Sequence, residues 1–180
     1  MPPQLLTIER VDTAGLAAHR DALIDLLIDI VEGGNSVGFV LPLSRGELGD
    51  YWDGLVPSID KGNRMLWIAH DEAGLLGTVQ LELTLKKNGV NRAEIQKLLV
   101  HTRARRRGVA RALMQTAEAC ALELRRGLLY LDTEAGSVAE SFYRALGYTC
   151  VGGLPEYACS PHGEWRANAI YYKTLFSRGA

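Results

Sequence analysis

Residues 98–111 read LLVHTRARRRGVAR and connect the end of an apolar strand to the start of an amphipathic helix. A helix start presents backbone N–H groups without partners, and its dipole is positive there. Gly108 leaves the main chain open to a ligand, and the arginines add charge and paired hydrogen-bond donors. We therefore predict that this loop binds a diphosphate or polyphosphate. The stretch contains neither the GK[ST] of a Walker loop nor a GxGxxG fingerprint.

The residues before this stretch divide into a short strand, two helices and three further strands. Apolar residues indicate a strand that contains Leu5, and helical spacing then predicts a long amphipathic helix over residues 16–31, ended by Gly33. Ser44 caps a second predicted helix, which Pro57 near its end kinks or shortens. Alternating apolar residues between turn residues predict strands over residues 65–69, 75–85 and 92–100.

The residues after the stretch continue with helices and strands in alternation. The pattern predicts a helix, a strand, a helix and two strands over residues 108–125, 127–133, 137–146, 148–151 and 169–175. This half contains a unit of strand, helix and strand, which implies a mixed sheet covered by helices. We therefore predict an α/β fold.

Two motifs resemble the GCN5-related N-acetyltransferase (GNAT) superfamily. The pattern Arg105-x-x-Gly108-x-Ala110 is similar to its pyrophosphate loop for acyl-CoA, and AESFYRALGY at residues 139–148 is similar to its A-x-x-F-Y-x-x-x-G-[FY] signature. The resemblance implies a single N-acetyltransferase domain over residues 1–180. It also implies the GNAT acyl-CoA N-acyltransferase fold, whose mixed, mostly antiparallel sheet has central splayed strands, with acetyl-CoA as co-substrate and no metal.

Further segments resemble the tabtoxin-resistance acetyltransferases within this superfamily. They are NGVNRAE at residues 88–94, residues 127–129 and 131–140, and AIYYKTL at residues 169–175. By this resemblance, the acceptor is the amine of a small amino-acid-like or β-lactam-type molecule. The alternatives are a protein or peptide N-acetyltransferase and a non-catalytic acyl-CoA-sensing domain, because one scaffold can serve different functions.

The resemblance also assigns residues to the parts of acetyl-CoA. The backbone of Leu98, Leu99 and Val100 offers hydrogen bonds to the pantetheine arm. The pyrophosphate is assigned to the loop and the helix start, namely Arg105, Arg106, Arg107, Gly108, Val109, Ala110 and Arg111. Arg103 is expected to face water.

Acetyl transfer to an amine needs a base, because only the free amine is nucleophilic. Glu94 and Asp132 are the candidate bases, since they lie on the two strands that flank the expected cofactor cleft and the resemblance points to both. A carboxylate on an apolar strand is costly unless it is paired or solvated. The alternatives are therefore structural: a cross-strand pair with Arg92 for Glu94, and a helix N-cap for Asp132.

The leaving thiolate must be protonated or stabilised. Tyr143 lies in the signature helix, and the resemblance implies that it donates a proton or hydrogen bond to the leaving sulfur, with a core-packing role as the alternative. Many members of the superfamily carry an asparagine seven residues before this tyrosine, bonded to the pantetheine arm. Here that place is Gly136, and Ser137 or a backbone group is the candidate substitute.

The composition limits the partners and the location. Twenty Lys and Arg against 21 Asp and Glu give a net charge of −1, which disfavours a general nucleic-acid binder. A solvated basic face or an RNA-binding patch is the alternative for the arginine-rich loop. No apolar run approaches the ~20 residues of a membrane span, the N-terminus lacks the pattern of a signal peptide, and the three cysteines lack metal-ligand spacing. We expect a cytoplasmic monomer or homodimer that acts on a small-molecule amine, with no nucleic-acid or membrane partner.

Overall fold

The structure is a computed structural model that describes residues 6–179, so Leu5 of the predicted first strand lies outside the described residues. Its strands are β1 (Thr7–Val11), β2 (Arg64–Asp71), β3 (Gly74–Leu83), β4 (Arg92–Val100), β5 (Leu128–Glu134), β6 (Thr149–Gly152), β7 (Ala158–Cys159), β8 (Trp165–Arg166) and β9 (Asn168–Thr174). Seven of them form one sheet in the order β1-β2-β3-β4-β5-β9-β6. The β4–β5 pair is parallel and the other described pairs of this sheet are antiparallel. The predicted mixed, mostly antiparallel sheet is confirmed.

Six α-helices within residues 6–179 flank the sheet. They are α1 (Thr13–Ala18), α2 (Arg20–Glu32), α3 (Arg45–Asp53), α4 (Val56–Asp60), α5 (Val109–Glu123) and α6 (Val138–Ala145). The single helix predicted over residues 16–31 is two helices, because the backbone leaves helical geometry at His19, where ψ is 5°. The next predicted helix is also divided, and Pro57 lies in the first turn of α4, where its missing N–H has no intrahelical partner to lose.

The two faces of the sheet bury separate hydrophobic cores. On one face, Leu81 of β3 and Leu113 of α5 belong to a core that α5 and α6 cover. On the other face, Leu66 of β2 shares a core with Leu27 of α2 and Trp52 of α3. Helices therefore cover both faces, and a ligand that reaches the middle of the sheet must enter between strands or at an edge.

An extra residue in β4 interrupts its pairing with β3. Between the pairs Thr78–Leu99 and Gln80–Gln96, β4 holds two residues opposite one residue of β3. The first of the two, Lys97, has a φ of 47°, which is rare for a residue other than glycine. Such a β-bulge bends the strand and increases its twist, and bulges are frequent beside active sites.

The bulge also exchanges the faces to which the side chains of β4 point. Before it, Ala93 and Ile95 belong to the core beneath α5. After it, Leu99 belongs to the core beneath α2, while Leu98 and Val100 pack against the core beneath α5. A side-chain period of two would place all odd-numbered residues of the strand on one face, so the exchange follows from the extra residue.

The strands β4 and β5 pair only at their N-terminal ends within the described chain. The parallel register joins Arg92–Glu94 to Leu128–Tyr130 and then stops. Past this point each strand keeps its partner on the far side, β3 for β4 and β9 for β5. The expected splayed central strands are therefore present, and they leave a cleft in the middle of the sheet.

A small two-stranded ribbon, β7–β8, follows β6 and was not predicted from the sequence. The ribbon contacts the connection between α2 and α3 through two hydrogen bonds. The Ser36 hydroxyl donates to the carbonyl of Cys159 over 3.1 Å, and the Leu41 N–H donates to the carbonyl of Pro161 over 3.0 Å. Two connections that are distant in sequence thus meet on the side of the sheet that carries α2 and α3.

Candidate active site

The loop between β4 and α5 has a backbone suited to anion binding. A 3-10 turn, Thr102–Ala104, is followed by Arg106 with a φ of 61° and Gly108 with a φ of 81°. Gly108 is the N-cap of α5, and a Cβ built on it meets no atom within 4 Å. The first N–H groups of α5 therefore border open space at the positive end of a four-turn helix, as the sequence predicts.

Asp29 of α2 holds the beginning of this loop in place. Its carboxylate accepts a 2.8 Å hydrogen bond from the Thr102 backbone N–H and a second bond from the Thr102 hydroxyl. The His101 ring lies 3.5 Å from the same carboxylate. Burial alone would raise the pKa of Asp29, but the bonds from Thr102 outweigh it and lower the pKa below its ordinary value. The sequence offered no signal for this contact.

The arginines of the loop have different surroundings. The Arg103 side chain is 36% exposed, so it faces water as expected, and its guanidinium also donates to the carbonyl of Leu75 over 2.9 Å and lies 3.8 Å from Asp71. The Arg107 guanidinium lies 3.3 Å from the same carboxylate. The Arg107 side chain is thus held at the β2–β3 turn, whereas the sequence assigned it to the pyrophosphate. All five of these arginines are exposed, and Arg105, Arg106 and Arg111 take no part in the contacts with Asp71.

The C-terminal half of β4 supplies the second part of the expected cofactor site. Leu99 and Val100 pair with Thr78 and Gly77 of β3 on one side only. On the other side the pairing with β5 has already ended, so backbone groups of this half are not used by a neighbouring strand. Leu99 is buried in the core, so it can bind a ligand through its main chain but not through its side chain.

The two candidate bases lie on the same face of the sheet, on adjacent strands. Glu94 of β4 is half-buried and accepts a hydrogen bond from the Tyr130 hydroxyl of β5 over 3.2 Å. Burial raises the pKa of Glu94, and the negative charges of Glu82 and Asp132 raise it further, against the hydrogen bonds from Gln96 and Tyr130. A raised pKa suits a carboxylate that takes up a proton near neutral pH.

Neither structural alternative for these carboxylates holds. Arg92 and Glu94, both within the described chain, form no ion pair, and the partner of Glu94 is Tyr130 instead. Asp132 lies inside β5 rather than at a helix start, since α6 begins after Ser137. The Asp132 carboxylate accepts a 3.4 Å hydrogen bond from the Asn168 side chain and is otherwise exposed to solvent.

Tyr143 of α6 lies on the opposite face of the sheet, with its ring buried. The ring packs edge-on against Phe142 and Tyr148, with centroids 5.4 and 5.9 Å away, and tilted against Tyr171. Burial, followed by the charge of Asp132, raises the pKa of Tyr143, so the phenol stays protonated at neutral pH. The predicted acid is thus also a core residue, and the two roles are compatible because the ring packs while the hydroxyl is the reactive group.

The place of the missing asparagine is a tight turn before α6. Gly136 has a φ of 78°, and its backbone N–H donates to the Glu140 carboxylate over 2.7 Å. The Ser137 hydroxyl lies 3.4 Å from the Thr133 hydroxyl. Since the Gly136 N–H already has a partner, Ser137 is the better candidate for a contact to the pantetheine arm.

A polar network beside Glu94 was missed by the sequence analysis. Arg64 is 8% exposed, and its guanidinium donates to the side-chain oxygens of Gln80 and Gln96 over 2.6 and 2.7 Å. It also lies 2.8 Å from the Glu82 carboxylate, and Gln80 donates to the Tyr51 hydroxyl over 3.0 Å. The polar positions of β3 that alternate with its apolar ones could have indicated that this face of the sheet is polar.

Known proteins share this fold. Residues 62–150 match the model of the acetyltransferase (GNAT) domain family. The yncA protein of Salmonella typhimurium, solved with its cofactor acetyl-CoA, has a TM-score of 0.76 at 14% identity, over 98% of this chain and 97% of that one. The ribosomal-protein-alanine N-acetyltransferase of Brucella melitensis has a TM-score of 0.74 at 19% identity, over 94% and 99% of the two chains. A structure provisionally described as a phosphinothricin N-acetyltransferase has a TM-score of 0.76 at 18% identity, over 96% and 100%.

The splayed sheet, the loop before α5 and the family match define the class of protein. The match over residues 62–150 identifies an acetyltransferase (GNAT) domain there, so the protein is an acetyltransferase enzyme. The likeness to the three solved structures, each under 25% identical, shows that the fold is the same. No helix in the described part of the chain is long and apolar enough to cross a membrane. Among residues 6–179, no three His, Cys, Asp or Glu side chains are grouped so as to hold a metal ion.

Proposed function

We propose that the protein moves an acetyl group from acetyl-CoA directly to the amine of a small amino-acid-like molecule. The observation that carries this proposal is the placement of Glu94 and Asp132 on one face of the sheet where β4 and β5 separate. Two carboxylates beside a cleft can accept the proton that an ammonium must lose before it attacks a thioester. The enzyme works as one domain, in the cytoplasm, as a monomer or homodimer.

The chain has the parts needed to hold acetyl-CoA. The open backbone edge at residues 98–100 suits the amide groups of the pantetheine arm, and the N–H groups from Gly108 to Arg111 suit the pyrophosphate. The exposed side chains of Arg105 and Arg106 add positive charge at this point. Arg107 supports the loop through Asp71. Acetyl-CoA supplies the activated acyl group, and the protein supplies orientation and proton transfer.

Each proton in the reaction has a candidate carrier. The amine gives a proton to Glu94 or Asp132, and its free electron pair then forms the bond to the thioester carbon. When the carbon–sulfur bond breaks, the sulfur receives a proton or a hydrogen bond from the Tyr143 hydroxyl, which the raised pKa of this residue keeps protonated. The amine enters from the face of Glu94, opposite to the face of Tyr143.

The face of the sheet that carries Glu94 favours a small acceptor over a protein. The α2–α3 connection and the β7–β8 ribbon are hydrogen-bonded to each other beside this face. Tyr157 comes just before the ribbon, and the charge of Asp132, burial and the charge of Glu94 raise its pKa. The α2–α3 connection and the ribbon narrow the approach to the carboxylates, whereas a protein acceptor needs an open groove.

The ease of deprotonation favours an α-amine as the acceptor. An α-amine with a pKa of about 8 is easier to deprotonate than a lysine side chain with a pKa of about 10.4. The name of the Brucella relative specifies alanine of a ribosomal protein, and that of the third structure specifies phosphinothricin, so acceptors differ on this fold. Within the small-acceptor class, the tabtoxin-resistance resemblance points to a β-lactam-type amino acid.

A single assay tests this proposal against its alternatives. Release of free CoA is measured with acetyl-CoA and a panel of acceptors: free amino acids, phosphinothricin, a β-lactam amino acid of the tabtoxin type, and peptides with free N-termini or lysines. We expect turnover with free amino-acid-like amines and little with peptides. Turnover with peptides alone would show a protein acetyltransferase, and binding of acetyl-CoA without any turnover would show a sensing domain.

A further inference from the structure

Lys97 is a cation that the proposed reaction does not use, and the bulge of β4 places it beside the candidate bases. Its ammonium lies 5.2 Å from the centre of the Tyr51 ring, on the face of the sheet that also carries Glu94. The bulge allows this, because it places Lys97 on the same face as its neighbour Gln96 rather than on the opposite one.

The ammonium of Lys97 has no carboxylate partner. Among residues 6–179 no Asp or Glu forms an ion pair with it, although Glu94 and Asp132 are near enough to affect its pKa. Burial and the neighbouring charge of Arg64 lower that pKa, and these two carboxylates only partly oppose the effect. Arg64, by contrast, is paired with Glu82 at 2.8 Å. A half-buried ammonium without an anion is costly to the fold, so such a residue is more often functional than structural.

A glycine keeps the space next to this ammonium clear. Gly38 of the α2–α3 connection has a φ of 97°, and a Cβ built there would lie 3.6 Å from the Lys97 Nζ. Any longer side chain at this position would fill the volume beside the ammonium. The cation thus lies between the connection that narrows the acceptor face and the two candidate bases.

We propose that Lys97 binds the α-carboxylate of the acceptor, so that the substrate is a free α-amino acid. This inference rests on the proposed function and specifies its acceptor. An α-amino acid carries an ammonium and a carboxylate on one carbon. Glu94 and Asp132 are the partners of the ammonium, and Lys97 is the partner of the carboxylate.

The same arrangement discriminates against peptides. The N-terminal residue of a peptide carries a neutral amide where a free amino acid carries its carboxylate. With such an acceptor the Lys97 ammonium would stay without an anion in a partly buried site. Specificity of this kind arises because the wrong substrate leaves a buried polar group unpaired.

The first experiment compares each common L-amino acid with its carboxamide as acceptor, by CoA release. We expect the wild type to prefer acids over amides by about ten- to a hundredfold in kcat/KM, the range for a hydrogen bond to a charged group. The variant Lys97→Met should lose this preference mainly through a higher KM for acids, and Lys97→Arg should restore part of it. The matched control is Lys87→Gln in the exposed β3–β4 connection, which should keep the preference.

A second measurement needs no turnover and separates the two proposals. N-acetyl-L-amino acids and their carboxamides are titrated calorimetrically into the protein with CoA present. Carboxylate-dependent binding that Lys97→Met removes supports the role of Lys97 even if no amine in the panel is acetylated. Turnover without a preference for acids, or a preference that Lys97→Met leaves unchanged, overturns this inference but leaves the proposed function standing. Failure of both measurements to show any dependence on the carboxylate also overturns it.

Discussion

Removal of both candidate bases together should reduce turnover far more than removal of either one. The variants are Glu94→Gln and Asp132→Asn, which keep the size of each side chain and its acceptor oxygen for Tyr130 and Asn168. Loss of general-base catalysis costs a factor of about 10²–10⁴, or about 3–5 kcal/mol in the barrier. Each single variant keeps the other carboxylate, so each should keep partial activity.

The decisive quantity is the coupling free energy between the two substitutions in the activation barrier. If either carboxylate can accept the amine proton, the double variant should lose about 1–3 kcal/mol more than the sum of the single losses. If Glu94 and Asp132 have independent structural roles, the losses should add. Purified variants are checked for folding by circular dichroism and assayed by CoA release from about pH 6 to 9.5.

Two effects of pH follow from the same arrangement. Raising the pH should rescue the double variant by roughly tenfold, because an α-amine of pKa about 8 is about one-tenth deprotonated at pH 7 and nearly fully deprotonated at pH 9.5. The charge of Asp132 raises the pKa of Glu94, so Asp132→Asn should move the acid limb of the kcat/KM profile to lower pH. Additive losses with no rescue at high pH would refute the shared-base mechanism.

Stability gives an independent check on Glu94. Because burial raises its pKa above the ordinary value of 4.5, its contribution to stability is present below that value and lost as the pH rises through the folded-state pKa. At neutral pH its charge therefore opposes folding, and Glu94→Gln should leave Tm unchanged or raise it while turnover falls. The control Glu72→Gln, in the exposed β2–β3 turn, should change neither quantity. A lower Tm with normal turnover would mark Glu94 as structural.

Three further predictions test the rest of the site. Acetyl-CoA should raise Tm by binding the folded state. Gly108→Glu should abolish this shift, and Gly108→Asn should keep part of it. A shift of the same size in Gly108→Glu and in the wild type would contradict the phosphate site. Tyr143→Phe should lower turnover by about 10²-fold or more at unchanged Tm, whereas Tyr148→Phe should not, and equal turnover in both would leave Tyr143 a packing residue. Asp29→Asn should lower Tm at pH 7, and since the folded-state pKa of Asp29 is depressed below 3.8, the difference from wild type should shrink as the pH falls through that range. A difference that stays constant down to pH 3 would contradict this account.

Local patterns predicted most of the sheet because its strands obey a simple period. The alternation of apolar residues along β3 and the turn residues around it set that strand to within two residues, and β4 matched its predicted bounds. The helix α6 and the left-handed Gly147 after it also follow from local signals. These elements depend on residues that are close in sequence, so single-sequence reasoning reaches them.

Contacts between distant residues account for what the sequence did not predict. The guanidinium of Arg107 binds Asp71 because the β2–β3 turn lies beside the loop, and Asp29 reaches Thr102 across the molecule. The β7–β8 ribbon has strands of two residues and little alternation, so its stability comes from contacts such as that of Ser36 with the carbonyl of Cys159. No pattern within a short window encodes such partners.

Of the features that the sequence did not predict, the bulge at Lys97 affects the candidate site most. Without the extra residue, β4 would continue straight, Leu99 would face α5 rather than α2, and Lys97 would point away from Glu94. The pairing with β5 ends just after Glu94, shortly before the bulge, so the strand that carries a candidate base also exposes the backbone edge that suits acetyl-CoA. The extra residue thus places the free backbone edge, the candidate base Glu94 and the cation proposed for the acceptor close together on one strand. Glu94 and Lys97 therefore lie on the same strand, which holds their relative positions more firmly than a loop would.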